Sequence, residues 1–299
     1  MISIIIPTYK NTKKLKNAIN SILKQNISDL EIVVVDDSIN SGALDTIRRI
    51  NHPSIKYYKN SKNQGATLSR IKGIKLSEGE YLGFLDDDDV VLNNNLVKKL
   101  DLLLSGDYDF VFCDYVVNNL IDNKKIEKQL YEYGQNFKKN ILHSPALFLQ
   151  CCLFKKKFVL ANLDCFDYRA EPSEDWDFFI SLSKVNPKNK HIKFYGFQWN
   201  FSHKSQSYNY NREALALEYI INKHYNYMKT NSKKYLSLQY RKLGSMFFYL
   251  KKQKKAEVCF KHAYTIYPWS FKNITLILIQ CFPNSLYLMA MGKYVKKIV

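Results

Sequence analysis

The sequence has few cysteines and no two of them in a C-x-x-C spacing. The six are Cys113, Cys151, Cys152, Cys165, Cys259 and Cys281. Several lie inside apolar runs, where a buried free thiol behaves as a small hydrophobic side chain. The spacing therefore argues against a zinc ribbon or a disulfide framework, and it indicates a protein of a reducing compartment.

Long apolar runs are also scarce. The stretch that approaches the length of a membrane span is residues 274–291, ITLILIQCFPNSLYLMAM, and a Pro, an Asn, a Gln and a Ser interrupt it. A single transmembrane helix is therefore not expected there. The first ten residues, MISIIIPTYK, have no basic segment, no cleavage site and too short an apolar core for a secretory signal. We expect a cytoplasmic protein, either free or bound peripherally to the inner face of the cell membrane.

Acidic residues are scarce in the last part of the chain. Residues 212–299 hold 16 Lys and Arg but 3 Asp and Glu, whereas residues 1–211 hold 29 and 24. The 299-residue chain carries a formal net charge of +18. Such asymmetry indicates an anionic partner such as nucleic acid, a phospholipid surface or a pyrophosphate-bearing ligand. Nucleic acid is not favoured, because the aromatic residues do not interleave with basic ones on a recognisable platform.

Short apolar runs alternate with helical patterns in the first part of the chain. The runs are residues 2–6, 31–35, 55–59, 81–85 and 109–113. Continuous β-branched runs are typical of parallel strands that are covered on both faces. The sequence therefore predicts an α/β fold with a mostly parallel sheet and helices on both faces.

From residue 211 onward the pattern is helical. Residues 240–268 match the tetratricopeptide spacing at Leu243, Gly244, Phe247, Ala256, Phe260, Ala263 and Pro268. We predict two domains, residues 1–210 and a basic helical region 211–299, with one tetratricopeptide-like hairpin (about 237–270) and an apolar, amphipathic tail. Its candidate partners are an anionic membrane surface, another protein or a second copy of the chain. A hairpin that merely closes the fold is the alternative.

Four consecutive aspartates, Asp86 to Asp89, follow the run 81–85. At about 6 Å and an effective dielectric near 20, each neighbouring pair of such charges costs about 2–3 kcal/mol. A hard cation relieves this repulsion, and Mg²⁺ or Mn²⁺ is commonly held by one or two carboxylates together with substrate phosphates. In an extended strand, Asp86 and Asp88 point to one side and Asp87 and Asp89 to the other, so we expect the row to divide between tasks. A solvated acidic loop is the alternative.

Other polar residues stand where further ligand contacts are expected. Asp37 follows the second predicted strand, and it either caps the helix near 43–50 or accepts hydrogen bonds from a base or ribose. Arg70 is either a solvated helix charge or a guanidinium fork for a diphosphate. Glu174 and Asp175 open a predicted helix, where they favour its positive end, although Asp175 could also act as a general base.

Taken together, these stretches resemble a family 2 glycosyltransferase with the GT-A fold. The matching pieces are SIIIPTYK, EIVVVDDS, NQGATLSRIKGIKLSEGEYLGFLDDDD and SEDWDFFISLS, in the family's order within residues 1–205. The resemblance implies an inverting, metal-dependent transfer from a UDP-sugar to a glycan or lipid-linked saccharide, in bacterial-type surface polysaccharide or glycoconjugate synthesis. The chain lacks the Q-x-x-R-W motif and the membrane spans of processive synthases, so transfer of a single sugar is favoured.

The resemblance also implies roles for single residues. Those around the nucleotide are Pro7, Thr8, Tyr9, Asp37, Arg70, Asp86 and Asp87, with Asp37 on the uracil. Asp88 matches the ligand of Mn²⁺ or Mg²⁺ in the D-x-D motif, and His203 resembles a histidine that reaches the metal or the diphosphate. Asp175 matches the catalytic base. The alternative is a non-catalytic nucleotide-binding or scaffold protein, against which the intact acids argue.

Overall fold

The computed structural model describes residues 1–25, 27–40, 42–92, 94–203, 205, 209–280 and 289–292. The chain divides into two compact units. The first comprises Met1–Lys138, Ala146–Tyr168 and Glu174–Lys204, and the second Lys139–Pro145, Arg169–Ser173 and Ser205–Val299. The predicted domain boundary between residues 210 and 211 stays a prediction.

The strands are β1 (Ile2–Thr8), β2 (Leu30–Asp36), β3 (Ile55–Lys59), β4 (Tyr81–Phe84), β5 (Val90–Val91), β6 (Phe110–Asn119), β7 (Lys124–Lys128), β8 (Cys152–Lys155) and β9 (Asn189–Phe201). The helices up to residue 183 are α1 (Thr12–Leu23), α2 (Ala43–Ile50), α3 (Ala66–Leu76), α4 (Asn95–Ser105), α5 (Tyr131–Gln135), α6 (Phe137–His143), α7 (Lys156–Ala161) and α8 (Glu174–Ser183). The C-terminal helices are α9 (Tyr210–Asn231), α10 (Lys233–Tyr249), α11 (Gln253–Ile266) and α12 (Phe271–Gln280).

The first four strands form the parallel part of the sheet. β1 pairs with β2 on one side and with β4 on the other, and β2 pairs with β3. Both faces of β1 are covered, because Ile4 and Ile6 pack in the same cluster as Ile19 of α1 whereas Ile5 meets α3. At Gly73 of α3 an added Cβ would lie 2.4 Å from Cγ2 of Ile5. This double coverage explains why the strand sequences are continuous apolar runs.

Beyond β4 the sheet becomes mixed. The strand order is β3-β2-β1-β4-β8-β6-β9-β5, and β7 pairs with β6. β8 is antiparallel to both of its neighbours, β4 and β6, while β9 is parallel to β6 and antiparallel to β5. The predicted parallel pairing therefore holds for the first four runs that alternate with helices, whereas the fifth, 109–113, lies in β6 and is antiparallel to its neighbours β8 and β7 and parallel only to β9. The segment 114–210 lacks that alternation, and its antiparallel pairs could not be read from it.

Helix α3 begins from a residue with positive φ. Gly65, at its N-cap, has φ 92° and ψ 169°, a conformation that is nearly exclusive to glycine. We expect Gly65→Ala to lower the free energy of unfolding by about 1–3 kcal/mol, measured by urea denaturation. Gly42→Ala is the matched control, because Gly42 is the N-cap of α2 but has φ −82°, and its added Cβ would meet only the methyl group of Thr12, at 3.3 Å. Equal losses in the two variants would contradict the backbone explanation.

The C-terminal helices form antiparallel pairs. Ser237 Oγ, early in α10, donates to the carbonyl of Ala263 late in α11 at 2.9 Å. The rings of Tyr210 and Tyr249 lie 5.1 Å apart, which joins the start of α9 to the end of α10. The residues predicted from the tetratricopeptide spacing between 243 and 263 are buried in this arrangement. That the hairpin belongs to the tetratricopeptide class stays a prediction.

In the part of the chain that the structure describes, no helix is long and apolar enough to cross a membrane. Most of the apolar stretch after α12, residues 281–288, lies outside the described residues, and so do Cys281 and the predicted tail beyond residue 292. The five described cysteines are buried and carry free thiols.

Candidate functional site

The acidic row lies at the sheet edge where β1, β2 and β4 end. β4 stops at Phe84, and residues 86–89 form a turn in which the N–H of Asp89 donates to the carbonyl of Asp86 at 3.1 Å. The expectation that these aspartates alternate along an extended strand is therefore wrong. The row nevertheless divides, because each of the four carboxylates has a different set of partners.

Asp86 belongs to a buried network centred on Arg70. The guanidinium donates through Nη2 to Asp86 Oδ1 and through Nη1 to Glu174 Oε1, both at 2.7 Å. Gln150 Nε2 donates to the second oxygen of Asp86 at 2.6 Å. Burial lowers the pKa of Arg70, but the carboxylates of Asp86, Glu174 and Asp175 raise it well above its usual value, so this side chain stays charged. In this structure the fork that we expected to hold a diphosphate binds two carboxylates.

Asp175 lies beside this network with one oxygen unused. The N–H of Leu149 donates to its Oδ2 at 3.0 Å, whereas Oδ1 is buried without a hydrogen-bond partner. Burial raises the pKa of Asp175 to about 7, with the charge of Arg70 opposing the rise and that of Glu174 adding to it. A carboxyl group with such a pKa exchanges protons readily at neutral pH, which suits a general base.

Several buried polar atoms in this cluster lack a partner. They are Arg70 Nε, Gln150 Oε1, Glu174 Oε2 and Asp175 Oδ1. Buried polar groups are normally hydrogen-bonded. The concentration of three acceptors and one donor therefore marks a place that water or a bound hydroxyl-rich molecule completes.

Asp87 joins the acidic row to the end of β1. It accepts hydrogen bonds from Thr8 Oγ1 at 2.6 Å, from Asn11 Nδ2 at 3.1 Å and from the N–H of Tyr9 at 3.3 Å. Burial raises the pKa of Asp87 to about 7, although the bond from Thr8 opposes the rise. Pro7 and Thr8 end β1 level with the end of β2. The structure therefore brings together the predicted nucleotide residues 7–9 and Asp87.

Asp88 and Asp89 differ in their surroundings. Lys14 Nζ lies 3.3 Å from Asp88 Oδ2, and burial and the charge of Asp86 raise the pKa of Asp88. Asp89 is buried and accepts the N–H of Asn200 at 2.8 Å, while Asn200 Nδ2 donates to the carbonyl of Asp88 at 2.7 Å. Asp89 is therefore a structural residue that fastens the end of β9 to the row, and solvation does not account for it.

The donor set of the row fits a hard divalent cation. Burial and neighbouring negative charge raise the pKa values of Asp88 and Asp89, which is the cost that a bound cation offsets. Across the described ranges, no group of three or more His, Cys, Asp or Glu is arranged to hold a metal. An ion at Asp88 would thus take most of its ligands from phosphate or water, as Mg²⁺ commonly does. His203 is exposed and lies three residues after Asn200, so its Cα is within about 10 Å of that of Asn200.

Asp37 serves the loop that leads into α3. Its Oδ1 accepts from Asn60 Nδ2 at 2.8 Å and from the N–H of Gln64 at 2.9 Å, and its Oδ2 accepts from the N–H of Gly65 at 2.7 Å. Of the two roles considered for Asp37, the cap of helix 43–50 is wrong, because Gly42 occupies that N-cap. Contact with a base would require Asp37 to share an oxygen that the loop already uses.

Sequence reasoning missed several members of the site. Gln150 and Leu149 lie in ALFLQCCLFK, a stretch with neither motif nor periodicity, directly before β8. Lys14 and Asn200 are single polar residues in a helix and a strand. Nothing in the sequence pairs any of them with an acid that is more than 25 residues away.

The chain belongs to Glycosyl transferase family 2, whose family model matches residues 3–159. An uncharacterized glycosyltransferase of Haemophilus influenzae is 27% identical over 68% of this chain and 86% of its own length. Poly(ribitol-phosphate) beta-N-acetylglucosaminyltransferase TarP of Staphylococcus aureus is 29% identical over 64% of this chain and 60% of its own length. The Escherichia coli enzyme WfgD, a UDP-Glc:alpha-D-GlcNAc-diphosphoundecaprenol beta-1,3-glucosyltransferase, is 26% identical over 62% of this chain and 71% of its own.

A solved structure shares the fold over nearly the whole chain. Residues 1–349 of S. aureus TarS, crystallised in complex with UDP-GlcNAc, superpose with a TM-score of 0.65 at 16% identity, covering 97% of this chain and 87% of that one. The expected fold class, an α/β GT-A domain followed by a helical region, is thereby confirmed. The match to the family model ends at residue 159, before Glu174 and Asp175.

Proposed function

We propose that this protein transfers a single sugar, with inversion, from a UDP-linked donor to a hydroxyl of a saccharide or lipid-linked saccharide. The reaction would serve the synthesis of surface polysaccharide or glycoconjugate at the cytoplasmic side of the cell membrane. The observation that carries the proposal is Asp175, a buried carboxyl with one oxygen free and a pKa near 7. The chemistry that the names of TarP and WfgD state for those proteins supports it.

Asp175 is the proposed general base. The N–H of Leu149 occupies its Oδ2, so Oδ1 is the oxygen left to accept a proton from the acceptor hydroxyl. As that proton moves, the hydroxyl oxygen forms a bond to the anomeric carbon from the side opposite the departing diphosphate. The bond from that carbon to the phosphate oxygen breaks, and UDP leaves with its electrons. An α-linked donor therefore gives a β-linked product.

The other residues position the reacting groups. We assign residues 7–9, Asp87 and Asp86 to the nucleotide, because Asp87 and the end of β1 are joined by hydrogen bonds. Asp37, which follows β2 at the same edge of the sheet, contributes by fixing the loop before α3. Arg70 and Gln150 hold the carboxylate of Asp86 from both of its oxygens. Arg70 also lowers the pKa of Asp175, which burial alone would raise further.

A divalent cation fits this scheme at Asp88, with His203 as a second protein ligand. Bound Mn²⁺ or Mg²⁺ supplies neutralisation of the negative charge that develops on the leaving diphosphate. Lys14 Nζ lies 3.3 Å from Asp88 Oδ2 and adds a positive charge beside this carboxylate.

Asp88→Ala tests this assignment. We expect it to weaken UDP binding in the presence of Mn²⁺ by about 10- to 100-fold, because the metal loses its carboxylate anchor. Calorimetric titration with Mn²⁺ and with a chelator gives the two affinities that must be compared. Asp101→Ala, which removes an exposed carboxylate of α4, is the control and should bind as the wild type does. Identical affinities for wild type and Asp88→Ala under both conditions would remove Asp88 from the metal site.

A donor screen tests the reaction as a whole. Nucleotide release is measured across UDP-, GDP- and dTDP-sugars with a mixture of saccharide acceptors. The proposal expects acceptor-dependent release of UDP. If the protein binds UDP tightly but releases no nucleotide from any donor with any acceptor, a nucleotide-binding scaffold would be supported instead.

A further inference from the structure

The second unit exposes large apolar side chains near the turn between α11 and α12. Trp269, in that turn, is 86% exposed, and Phe271, the first residue of α12, is 81% exposed. Ile274 and Leu278 are 40% and 57% exposed. Phe271, Ile274 and Leu278 follow the i, i+3, i+7 spacing, so they form one apolar stripe along the outer side of α12.

Buried hydrogen bonds fix the orientation of this stripe. Asn273, on the opposite side of α12, donates through Nδ2 to the carbonyls of Ala263 at 2.9 Å and Tyr267 at 2.6 Å. Its Oδ1 accepts from Arg241 Nη1 at 2.8 Å. Leu276 is buried on the same side. Rotating α12 to hide the stripe would break these bonds, so the exposure is built into the unit.

Lysines collect at the same end of the unit. Ser237 in the second turn of α10 contacts both Ala263 and Asn273, so the start of α10 lies beside the end of α11 and α12. The exposed Lys233 and Lys234 come one turn before Ser237, and Lys229 precedes them at the end of α9. Lys272 is exposed on α12 itself.

Acidic side chains are absent from these segments of the sequence. Residues 219–256 and 258–299 contain no Asp or Glu. Glu218 faces Lys255, near the start of α11, at 3.6 Å, which is the other end of that helix. Glu257 stands in the first half of α11, so α10, α12 and the last turns of α9 and α11 contain no carboxylate.

We propose that this docking end, formed by Trp269, Phe271, Ile274, Leu278, Lys229, Lys233, Lys234 and Lys272, binds an anionic lipid bilayer. Tryptophan favours the interface between headgroups and acyl chains, where its ring is buried and its N–H stays hydrated. An aliphatic stripe gains by entering the same layer, and lysines are drawn to anionic headgroups. A nucleic acid would use the lysines but has no use for Ile274 and Leu278. The interaction goes beyond the proposed reaction, because it needs neither donor nor acceptor.

Vesicle flotation of the full chain tests the proposal. Vesicles of phosphatidylcholine alone are compared with vesicles of phosphatidylcholine and phosphatidylglycerol. We expect binding to the second kind, weakening as salt rises. The absence of binding to vesicles that contain phosphatidylglycerol would overturn the proposal. So would RNA binding that is sensitive to salt, competes with the vesicles and persists when Trp269 and Phe271 are replaced.

Two pairs of variants separate the docking end from general basicity. Lys233→Glu with Lys234→Glu should lower the partition coefficient at least about 30-fold, since each lysine near such a surface contributes roughly five-fold. Lys251→Glu with Lys254→Glu makes the same change of charge at the opposite end of α10 and α11 and should have a much smaller effect. Equal losses from the two pairs would overturn the assignment.

The apolar part has its own test. Trp269→Ala with Phe271→Ala should lose vesicle binding while circular dichroism and UDP affinity stay at wild-type values, because both side chains are mostly outside the fold. Unchanged vesicle binding in this double variant would overturn the insertion of the stripe. UDP affinity that falls with vesicle binding would likewise count against a separate docking end, so failure here is distinct from failure of the proposed reaction.

Discussion

Asp175→Asn is expected to lower the rate of sugar transfer by about 10²–10⁴-fold, the usual contribution of a general base. The amide has nearly the shape of the carboxyl group but cannot take the acceptor proton. UDP binding should remain close to the wild-type value, because no nucleotide contact is assigned to this side chain. Single-turnover transfer and calorimetry measure the two quantities separately. Wild-type turnover in this variant would remove Asp175 as the base.

The pH profile adds a second readout to the same variant. A base works in its unprotonated form, and the pKa of Asp175 is raised by burial to about 7. As the pH falls below 7, the protonated fraction grows, so kcat/KM should fall about tenfold per pH unit, whereas above 7 it should level off. The residual activity of Asp175→Asn should lack this limb.

Glu174→Gln provides the matched control for Asp175→Asn. It makes the same chemical change one residue earlier, and Arg70 retains an amide oxygen to bind in place of Glu174 Oε1. We expect a loss of activity much smaller than that of Asp175→Asn. Equal losses would show that the whole network, and not one proton acceptor, limits the reaction.

Arg70→Met is expected to lower the free energy of unfolding by about 3–5 kcal/mol, because it leaves buried carboxylates without their counter-charge. Arg70 is nearly fully buried, and both of its terminal nitrogens are engaged with Asp86 and Glu174 at 2.7 Å. Urea denaturation at pH 7 measures the effect. Arg49→Met removes an exposed arginine of α2 and should change the stability little.

The same variant should also move the pH profile of the reaction. The charge of Arg70 lowers the pKa of Asp175 against the effect of burial. Without that charge the pKa rises above 7, so the acidic limb of kcat/KM should shift to higher pH. If Arg70→Met lowers stability but kcat/KM still begins to fall near pH 7, then Arg70 supports the fold without changing the pKa of Asp175.

The sequence predicted the parallel half of the sheet because local patterns determine it. Its central strands β1 and β2 are short runs of β-branched residues followed by a helix, a composition that burial on both faces favours. The carboxyl ends of neighbouring parallel strands share one edge, which is why Thr8 and Asp87 lie within hydrogen-bond distance. This inference needs no knowledge of the rest of the chain.

The contacts of Arg70 could not be predicted in the same way. Glu174 lies 104 residues away in the sequence, and Gln150 is 64 residues from Asp86. Both approach through β8 and α8, whose positions depend on the strand order of the mixed half. A helix charge such as Arg70 looks solvated until that order is known, and in the structure it is among the most buried charges of the first unit.

The acidic row shows how a local pattern predicted an incorrect geometry. The alternation of side chains along a strand predicted a division of the four aspartates, but β4 ends at Phe84 and the row is a turn. Turn geometry depends on where Asn200 fastens Asp89, and that contact spans 111 residues. The local periodicity of the sequence carries no information on a contact between residues so far apart.

The position of β8 has a consequence for synthesis of the chain on the ribosome. β8 lies between β4 and β6 although it follows both in sequence, so the edge of β4 stays unpaired while residues 85–151 emerge. An open, apolar strand edge recruits other chains, and nascent proteins with such edges depend on chaperones. Leu149 and Gln150 lie just before β8, so pairing of β8 with β4 also brings Gln150 to Asp86, whereas the bond from Leu149 to Asp175 forms only once α8 has emerged. Closure of this edge and completion of the contacts of Asp86 are thus one step in the folding of the nascent chain.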